Sequence, residues 1–336
     1  GVEPYITLYH WDLPQVLQDK GGWTSRATID AYVRYAEIMF KEFHGKVKHW
    51  ITFNEPWCAT FLSYYIGEHA PGYTDLQMAV DAAHHMLVAH GRTVKRFREL
   101  GYEGEIGFAP NITWKIPFSS KKEDVDTAFR EAAFINDWFL DPVFKGAYPA
   151  EHIEIYERLG AELHIEPGDM ELISQPIDFM GINYYSANIV RYKPGQGMFD
   201  CEYIDMKFDR TEMGWPIIPD GLRQCLLWIK ERYGDVPIYI TENGACYGDG
   251  PVDGRVKDDK RINYLDKHIA EVSRAIESGV NLKGYFTWSL LDNFEWAFGY
   301  EKRFGLVFVN FETLERTKKD SYYWYQKVVT ENKLER

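Results

Sequence analysis

The segment HWITFNEP (His49–Pro56) decides the fold class. Its first part, His49–Phe53, is an apolar run rich in aromatic and β-branched residues, which predicts a buried strand that delivers Glu55 at its tip. The segment VPIYITENG (Val236–Gly244) has the same design and delivers Glu242. Strands that are apolar throughout are typical of a parallel sheet covered on both faces.

The rest of the chain alternates strands and helices in the same way, which is the pattern of an α/β fold. Further strands are predicted at Pro4–Tyr9, Glu105–Pro110, Asp178–Tyr185 and Gly284–Leu290, helices at Ala27–His44, Leu76–Leu100, Lys122–Lys145, Ile153–Leu159, Gly221–Tyr233, Lys260–Ser278 and Tyr322–Glu331, and a long loop at Lys193–Phe208. A (β/α) barrel and a doubly wound open sheet both fit this order.

Polar residues that follow the strands favour the barrel. They occur after strand upon strand, at His10, Asn54–Glu55, Asn183, Glu242 and Glu295. A barrel gathers all its strand ends into one ring, whereas an open sheet uses a single switch point. We therefore predict a TIM barrel in which residues 1–336 form a single (β/α) barrel domain.

Composition excludes several classes of function. The formal net charge of −13 argues against nucleic-acid binding, and no apolar run is long enough to cross a membrane. The four cysteines have neither metal nor disulfide-framework spacing, which favours a reducing, cytoplasmic setting. No metal is expected, because His84 and His85 are adjacent and diverge on a helix. No nucleotide-binding glycine motif occurs, and no cofactor is predicted.

The two strand-tip glutamates suggest a reaction. Glycoside hydrolysis needs two carboxyl groups in different protonation states on either side of the glycosidic bond. A glutamate that emerges from an apolar floor can have its pKa set by burial and by its neighbours. The alternative is that Glu55 and Glu242 are helix caps or solvated loop residues.

A third segment, WSLLDNFEW (Trp288–Trp296), places two tryptophans around Glu295. Indole faces stack on sugar rings, and a carboxylate can accept hydrogen bonds from two adjacent hydroxyls. The alternative is that both rings belong to the core and that Glu295 pairs with a lysine. His10 adds a ring at another strand tip, and the alternative there is the structural role that a single histidine more often has.

Five segments together resemble the family-one glycoside hydrolases, the β-glucosidase family. They are LYHWDLPQ, TFNEPW, GINYYS, ITENG and WSLLDNFEW, in the order of the family and spread over essentially the whole chain. The resemblance implies a retaining β-glycosidase. It implies that Glu55 is the acid/base, Glu242 the nucleophile, Asn54 a ligand of the 2-hydroxyl, Tyr185 a partner of Glu242, His10 and Trp296 ligands of the 3-hydroxyl, Glu295 the ligand of the 4- and 6-hydroxyls, Trp288 the stacking floor, and Asn183 a second-layer partner.

The same resemblance narrows the substrate. The 6-phosphoglycosidase branch has a Ser/Lys/Tyr phosphate clamp where this chain has Glu295, which would repel a phosphate. The thioglucosidase branch has glutamine at the position of Glu55. An unphosphorylated β-glucoside is expected, with β-galactosides and β-fucosides as co-substrates. Glu55 is expected to have a higher pKa than Glu242, because it must hold a proton beside an ionised carboxylate.

The resemblance also implies eight strands, of which only six are found, so that Gly1 aligns with the start of the third. The absent units would carry a sugar-binding glutamine and an arginine that pairs with the nucleophile. A complementing N-terminal polypeptide of about 100 residues, completing the eight-unit fold, is therefore expected as a partner. A non-catalytic sugar-binding remnant and a transglycosidase that uses the same carboxylate pair stay open as alternatives.

Overall fold

A parallel six-stranded sheet is the frame of the protein in the computed structural model, which describes residues 1–334. The strands are β1 (Tyr5–Tyr9), β2 (His49–Asn54), β3 (Glu105–Ala109), β4 (Trp114–Pro117), β5 (Phe179–Asn183), β6 (Ala187–Tyr192), β7 (Cys201–Ile204), β8 (Ile238–Glu242), β9 (Leu282–Tyr285), β10 (Val307–Val309) and β11 (Arg316–Lys318). The main sheet has the order β1-β2-β3-β5-β8-β9, and every neighbouring pair is parallel.

Helices connect these strands and cover the outer face of the sheet. They are α1 (Gln15–Gln18), α2 (Ala27–Phe43), α3 (Leu76–Leu100), α4 (Lys122–Ala133), α5 (Asp137–Lys145), α6 (Ala150–Arg158), α7 (Asp169–Ile173), α8 (Pro219–Tyr233), α9 (Asp259–Glu277) and α10 (Asp320–Glu331). Every residue of β5 is buried, and so is every residue of β2 except His49. Burial on both faces explains why these strands read as uninterrupted apolar runs.

The main sheet follows the strand order of a TIM barrel, which confirms the predicted fold class. Among residues 1–334 its six strands form an open arc that supplies strands three to eight of that fold. The edges of the arc are β1 and β9, neither of which has a second strand neighbour. Tyr5 of β1 still reaches across the interior and contacts the rings of Tyr239 and Phe286, at centroid distances of 5.1 and 5.2 Å.

Two smaller sheets were not predicted. Strands β4, β6 and β7 form one of them, and β7 lies inside Lys193–Phe208, where a loop was expected. That segment is a hairpin partner of β6, because Cys201–Ile204 pairs antiparallel with it and Lys193 bonds to Asp200 across the turn. The second is the hairpin of β10 and β11.

Two predicted elements differ in length. The predicted helix Lys122–Lys145 is broken between α4 and α5, because the Asn136 side chain bonds both the backbone N–H and the carbonyl of Thr113. The last predicted strand ends at Tyr285 rather than Leu290, since the chain then turns into the cavity described below. No helix within residues 1–334 is long and apolar enough to cross a membrane.

Candidate active site

The carboxyl ends of the parallel strands surround a cavity of about 470 Å³. All nine residues singled out in the sequence line it, namely His10, Asn54, Glu55, Asn183, Tyr185, Glu242, Trp288, Glu295 and Trp296. They come from five different strand ends, which the parallel sheet brings to one rim. The polar residues that follow the predicted strands therefore do lie around one cavity.

Glu55 follows β2 and is buried, with 7% of its surface exposed. Its backbone has φ 42°, a left-handed conformation that is uncommon outside glycine, and its N–H is held by the carbonyl of Ala109 on β3. Its two carboxyl oxygens have different donors, Asn183 Nδ2 at 2.9 Å from Oε1 and Cys58 Sγ at 3.1 Å from Oε2. Burial raises the pKa of Glu55, and the two hydrogen bonds counteract that rise.

Glu242 is the last residue of β8 and is equally buried. The Tyr185 hydroxyl donates to its Oε2 at 2.7 Å. Burial raises the pKa of Glu242 well above its usual range, and the charges of Glu55 and Glu295 raise it further. The expectation that Glu55 has the higher pKa of the two is therefore wrong for residues 1–334, because none of their cationic side chains offsets the burial of Glu242.

Hydrogen bonds of two amide side chains connect the ends of the strands. Asn183 of β5 donates to Asn54 Oδ1 as well as to Glu55, and it accepts from the Thr241 hydroxyl at 2.6 Å. Asn54 in turn donates from Nδ2 to Nε2 of His10 at 3.1 Å. Burial lowers the pKa of His10 to about 4, so the ring is neutral near pH 7 and carries its proton on Nδ1.

Aromatic rings form one wall of the cavity. The ring of His10 contacts those of Trp288 and Trp296, at centroid distances of 5.7 and 5.9 Å and interplanar angles of 29° and 20°. Trp11 packs on Trp296 at 4.6 Å and donates from its indole nitrogen to the carbonyl of Asn54. Trp11 and Trp296 have positive φ angles, 77° and 46°. Backbone held in this conformation at a cavity is a mark of functional sites.

Glu295 sits on the loop that follows β9, and burial raises its pKa to about 7. The Trp288 indole bonds to it, and no lysine or arginine of residues 1–334 forms an ion pair with it. The alternative that Glu295 pairs with a lysine is thus not what the described structure shows. A buried ion-pair cluster of Asp292 with Arg303 and Lys319 anchors the loop just before Glu295.

Several lining residues were missed. Cys58 lies one helical turn after Glu55. Asn111 follows the end of β3, so a search for polar residues after that strand would have found Asn111. The Asn111 Oδ1 atom is buried without a hydrogen-bond partner among the described residues. Trp215, whose ring lies 5.3 Å from that of Tyr185, comes from the β7–α8 connection and had no sequence signal. Within residues 1–334 no cluster of three side chains suited to a metal ion occurs.

The model of glycosyl hydrolase family 1 matches residues 1–334. The chain belongs to this family. A β-glucosidase A of Acetivibrio thermocellus is 47% identical over 335 residues, which are 99% of this chain and 75% of that protein. A crystal structure of a Thermotoga maritima family 1 glycoside hydrolase, in complex with a cyclophellitol analogue that mimics the transition state, has a TM-score of 0.95 at 44% identity and covers 100% of this chain and 75% of its own.

Family 1 membership makes the protein a glycosyl hydrolase of the β-glucosidase type. The family also includes enzymes with a phosphorylated substrate. A 6-phospho-β-galactosidase of Clostridium acetobutylicum is 38% identical over 99% of this chain and 76% of that protein. The choice of sugar therefore has to be argued from the residues of this cavity.

Proposed function

We propose that this chain carries the catalytic centre of a retaining β-glucosidase in which Glu242 is the nucleophile and Glu55 the acid/base. One observation carries the proposal: two buried glutamates from the tips of β2 and β8 line the same cavity, and Glu242 accepts from a tyrosine hydroxyl whereas Glu55 accepts from a thiol. A tyrosine hydroxyl orients Glu242, whereas Glu55 is held by an amide and a thiol. Double displacement needs such a division of roles.

In the first step the Glu242 carboxylate attacks the anomeric carbon, and Glu55 gives its proton to the glycosidic oxygen as the C–O bond breaks. The product is an ester between the sugar and Glu242. In the second step Glu55, now ionised, takes a proton from a water molecule that attacks the same carbon. The sugar leaves with its original β-configuration, and both carboxyl groups return to their starting states.

The remaining wall residues suit a neutral sugar. The indole of Trp288 offers a stacking face, neutral His10 offers its Nδ1–H, and Glu295 in its ionised form offers acceptor oxygens. Glu295 and the absence of a cation beside it among residues 1–334 disfavour a 6-phosphate. We therefore propose unphosphorylated β-glucosides as substrates, with β-galactosides and β-fucosides as further substrates.

Three carboxyl groups, Glu55, Glu242 and Glu295, share this cavity without a cationic partner from residues 1–334. Glu242 must be ionised to act, yet burial favours its neutral form. We propose that a further N-terminal segment of the fold completes the sheet between β9 and β1 and brings a cation to Glu242. The support is the open arc, the raised pKa of Glu242 and the quarter of the relatives' own length that this chain does not cover.

The test is a panel of aryl β-glycosides, assayed with this chain alone and with an added N-terminal segment. Proton NMR of the first product released decides the stereochemistry, and β-glucose as that product supports retention. Initial α-glucose would mean inversion and would contradict the proposal. Sugar binding without turnover in either assay would favour the binding remnant, and transfer to an added alcohol in preference to water would favour a transglycosidase.

A cytoplasmic location stays a proposal. All four cysteines are buried thiols without a disulfide partner, which suits a reducing compartment. Fractionation of producing cells tests it, and activity found outside the cytoplasm would contradict it.

A further inference from the structure

The thiol of Cys58 is the least expected neighbour of the acid/base. Cys58 begins a π-helical segment, Cys58–Ile66, that follows β2 almost directly. Its backbone is fixed, because the Ser63 hydroxyl donates to its carbonyl at 2.9 Å and the N–H of Ala59 bonds to Glu55. The Sγ atom therefore points at Glu55 Oε2 as part of a defined turn, and its distance of 3.1 Å is short for a sulfur donor.

The two oxygens of Glu55 are not equivalent. Oε1 receives a hydrogen bond from Asn183 Nδ2, an amide nitrogen that can donate but cannot accept. The orientation of this amide is fixed, because its own oxygen accepts from Thr241 and its NH₂ also donates to Asn54. A proton on Oε1 would therefore either face an amide hydrogen that cannot turn away or weaken the acceptor on which that amide depends. A thiol can donate or weakly accept, so a proton on Oε2 can be accommodated when the S–H rotates.

We propose that Cys58 is a positioning residue that assigns the catalytic proton of Glu55 to Oε2 and lets the carboxyl group cycle between its acid and base forms. The inference rests on the proposed role of Glu55. When Glu55 is ionised, the S–H donates to Oε2; when Glu55 is protonated, Oε2 carries the proton and the S–H turns away from it. The thiol keeps its own proton throughout. The proton that moves goes from Oε2 to the glycosidic oxygen and is replaced from the attacking water.

Electrostatics gives the sign of the effect. The thiol hydrogen bond favours the ionised form of Glu55 and opposes the rise in its pKa that burial causes. Burial and the neighbouring carboxylate raise the pKa of Cys58 itself, so the sulfur stays a thiol and remains a donor. Removing the donor should raise the Glu55 pKa further, and a stronger donor should lower it.

The experiment compares Cys58→Ala and Cys58→Ser with Cys225→Ala, a control at a buried cysteine on α8 that lies outside the cavity. In the pH profile of kcat/KM, the basic limb should move up by about half a pH unit in Cys58→Ala, down in Cys58→Ser, and not at all in Cys225→Ala. If Cys58 had only a structural role, its variants would change Tm and the size of kcat/KM, but the basic limb would not move up in Cys58→Ala and down in Cys58→Ser. Identical or absent shifts in the two Cys58 variants would overturn the proposal.

A second readout does not need turnover. The infrared S–H stretching band of Cys58, assigned by subtraction of the Cys58→Ala spectrum, should lie at low frequency while Glu55 is ionised and move when Glu55 is protonated or replaced by glutamine. Titration of Glu55 by carboxyl ¹³C NMR should show its pKa raised in Cys58→Ala and lowered in Cys58→Ser. If these signals respond but the protein hydrolyses no glycoside, the proposed function fails and the link between Cys58 and Glu55 stands. If hydrolysis proceeds and the S–H band does not move when Glu55 is protonated or replaced by glutamine, only the proposed role of Cys58 fails.

Discussion

Glu55 and Glu242 differ in the groups that touch them, and substitution of each should have a different kinetic effect. Glu242→Gln should reduce kcat below detection with every substrate, because no nucleophile remains. Glu55→Gln should lower kcat/KM about 10²–10⁴-fold for alkyl glucosides with poor leaving groups and far less for activated aryl glucosides, since kcat/KM reports the first step and a good leaving group needs no acid there. Steady-state kinetics on both substrate types checks this. Equal losses on both types in Glu55→Gln would contradict its assignment as the acid.

Glu295 should make stability depend on pH. Its pKa is raised from 4.5 to about 7, so the folded protein holds a proton there that the unfolded chain has lost. The folded state is therefore penalised as pH rises from about 4.5 to 7, by at most roughly 3 kcal/mol. Glu295→Gln should be more stable than the parent in urea at pH 8 and equal to it below pH 4.5. Glu157→Gln, at an exposed position on α6, is the matched control; a gain of the same size there, or none at Glu295, would contradict the account.

At the residue scale, the sequence predicted which side chains meet, but not all of their partners. The nine cavity residues could be found because each follows a strand or sits in a motif. The neighbours Cys58 and Trp215 could not, because they lie on a π-helical segment and a loop whose paths depend on tertiary packing. The raised pKa of Glu242 could not be foreseen either, since it depends on charges that only the fold brings together.

At the scale of elements, the turn after β8 packs closely against the backbone of Trp288. A Cβ added at Gly244 would lie 1.9 Å from the Trp288 carbonyl oxygen, whereas one at Gly250 would meet nothing within 4 Å. Gly244→Ala should cost about 1–3 kcal/mol of stability and displace the Trp288 ring, which weakens sugar binding. Thermal unfolding and titration with a glucose-like inhibitor check this, with Gly250→Ala as the control. Equal behaviour of the two variants would contradict the contact.

Prediction of elements succeeded where periodicity and length agree. Helices α2, α3, α8 and α9 and the strands of the main sheet other than β9 lie within a few residues of their predicted bounds. It failed at β7, where charged residues and glycines made a paired strand resemble a loop. It also failed at the break between α4 and α5, because the hydrogen bonds of Asn136 to Thr113 are long-range and leave no local trace.

At the scale of the whole molecule, the open arc leaves backbone groups of β1 and β9 without a strand partner among residues 1–334. Strand β1 has the sequence YITLY, with neither a charge nor a proline to block further pairing. The chain alone should therefore associate as its concentration rises, and an added segment that pairs with β1 should suppress this. Sedimentation velocity over a range of concentrations checks it. A monomer at every concentration, without any such segment, would contradict the prediction.

The central claim is that Glu242 forms a covalent bond to the sugar. An activated 2-deoxy-2-fluoro-β-glucoside slows both steps by destabilising the oxocarbenium-like transition state, and its good leaving group lets the intermediate accumulate. Mass spectrometry of the digested, catalytically competent protein should find a single fluoroglucosyl group on the peptide that contains Glu242. The label on Glu55, on another residue, or on no residue while glucosides are still hydrolysed would contradict the account.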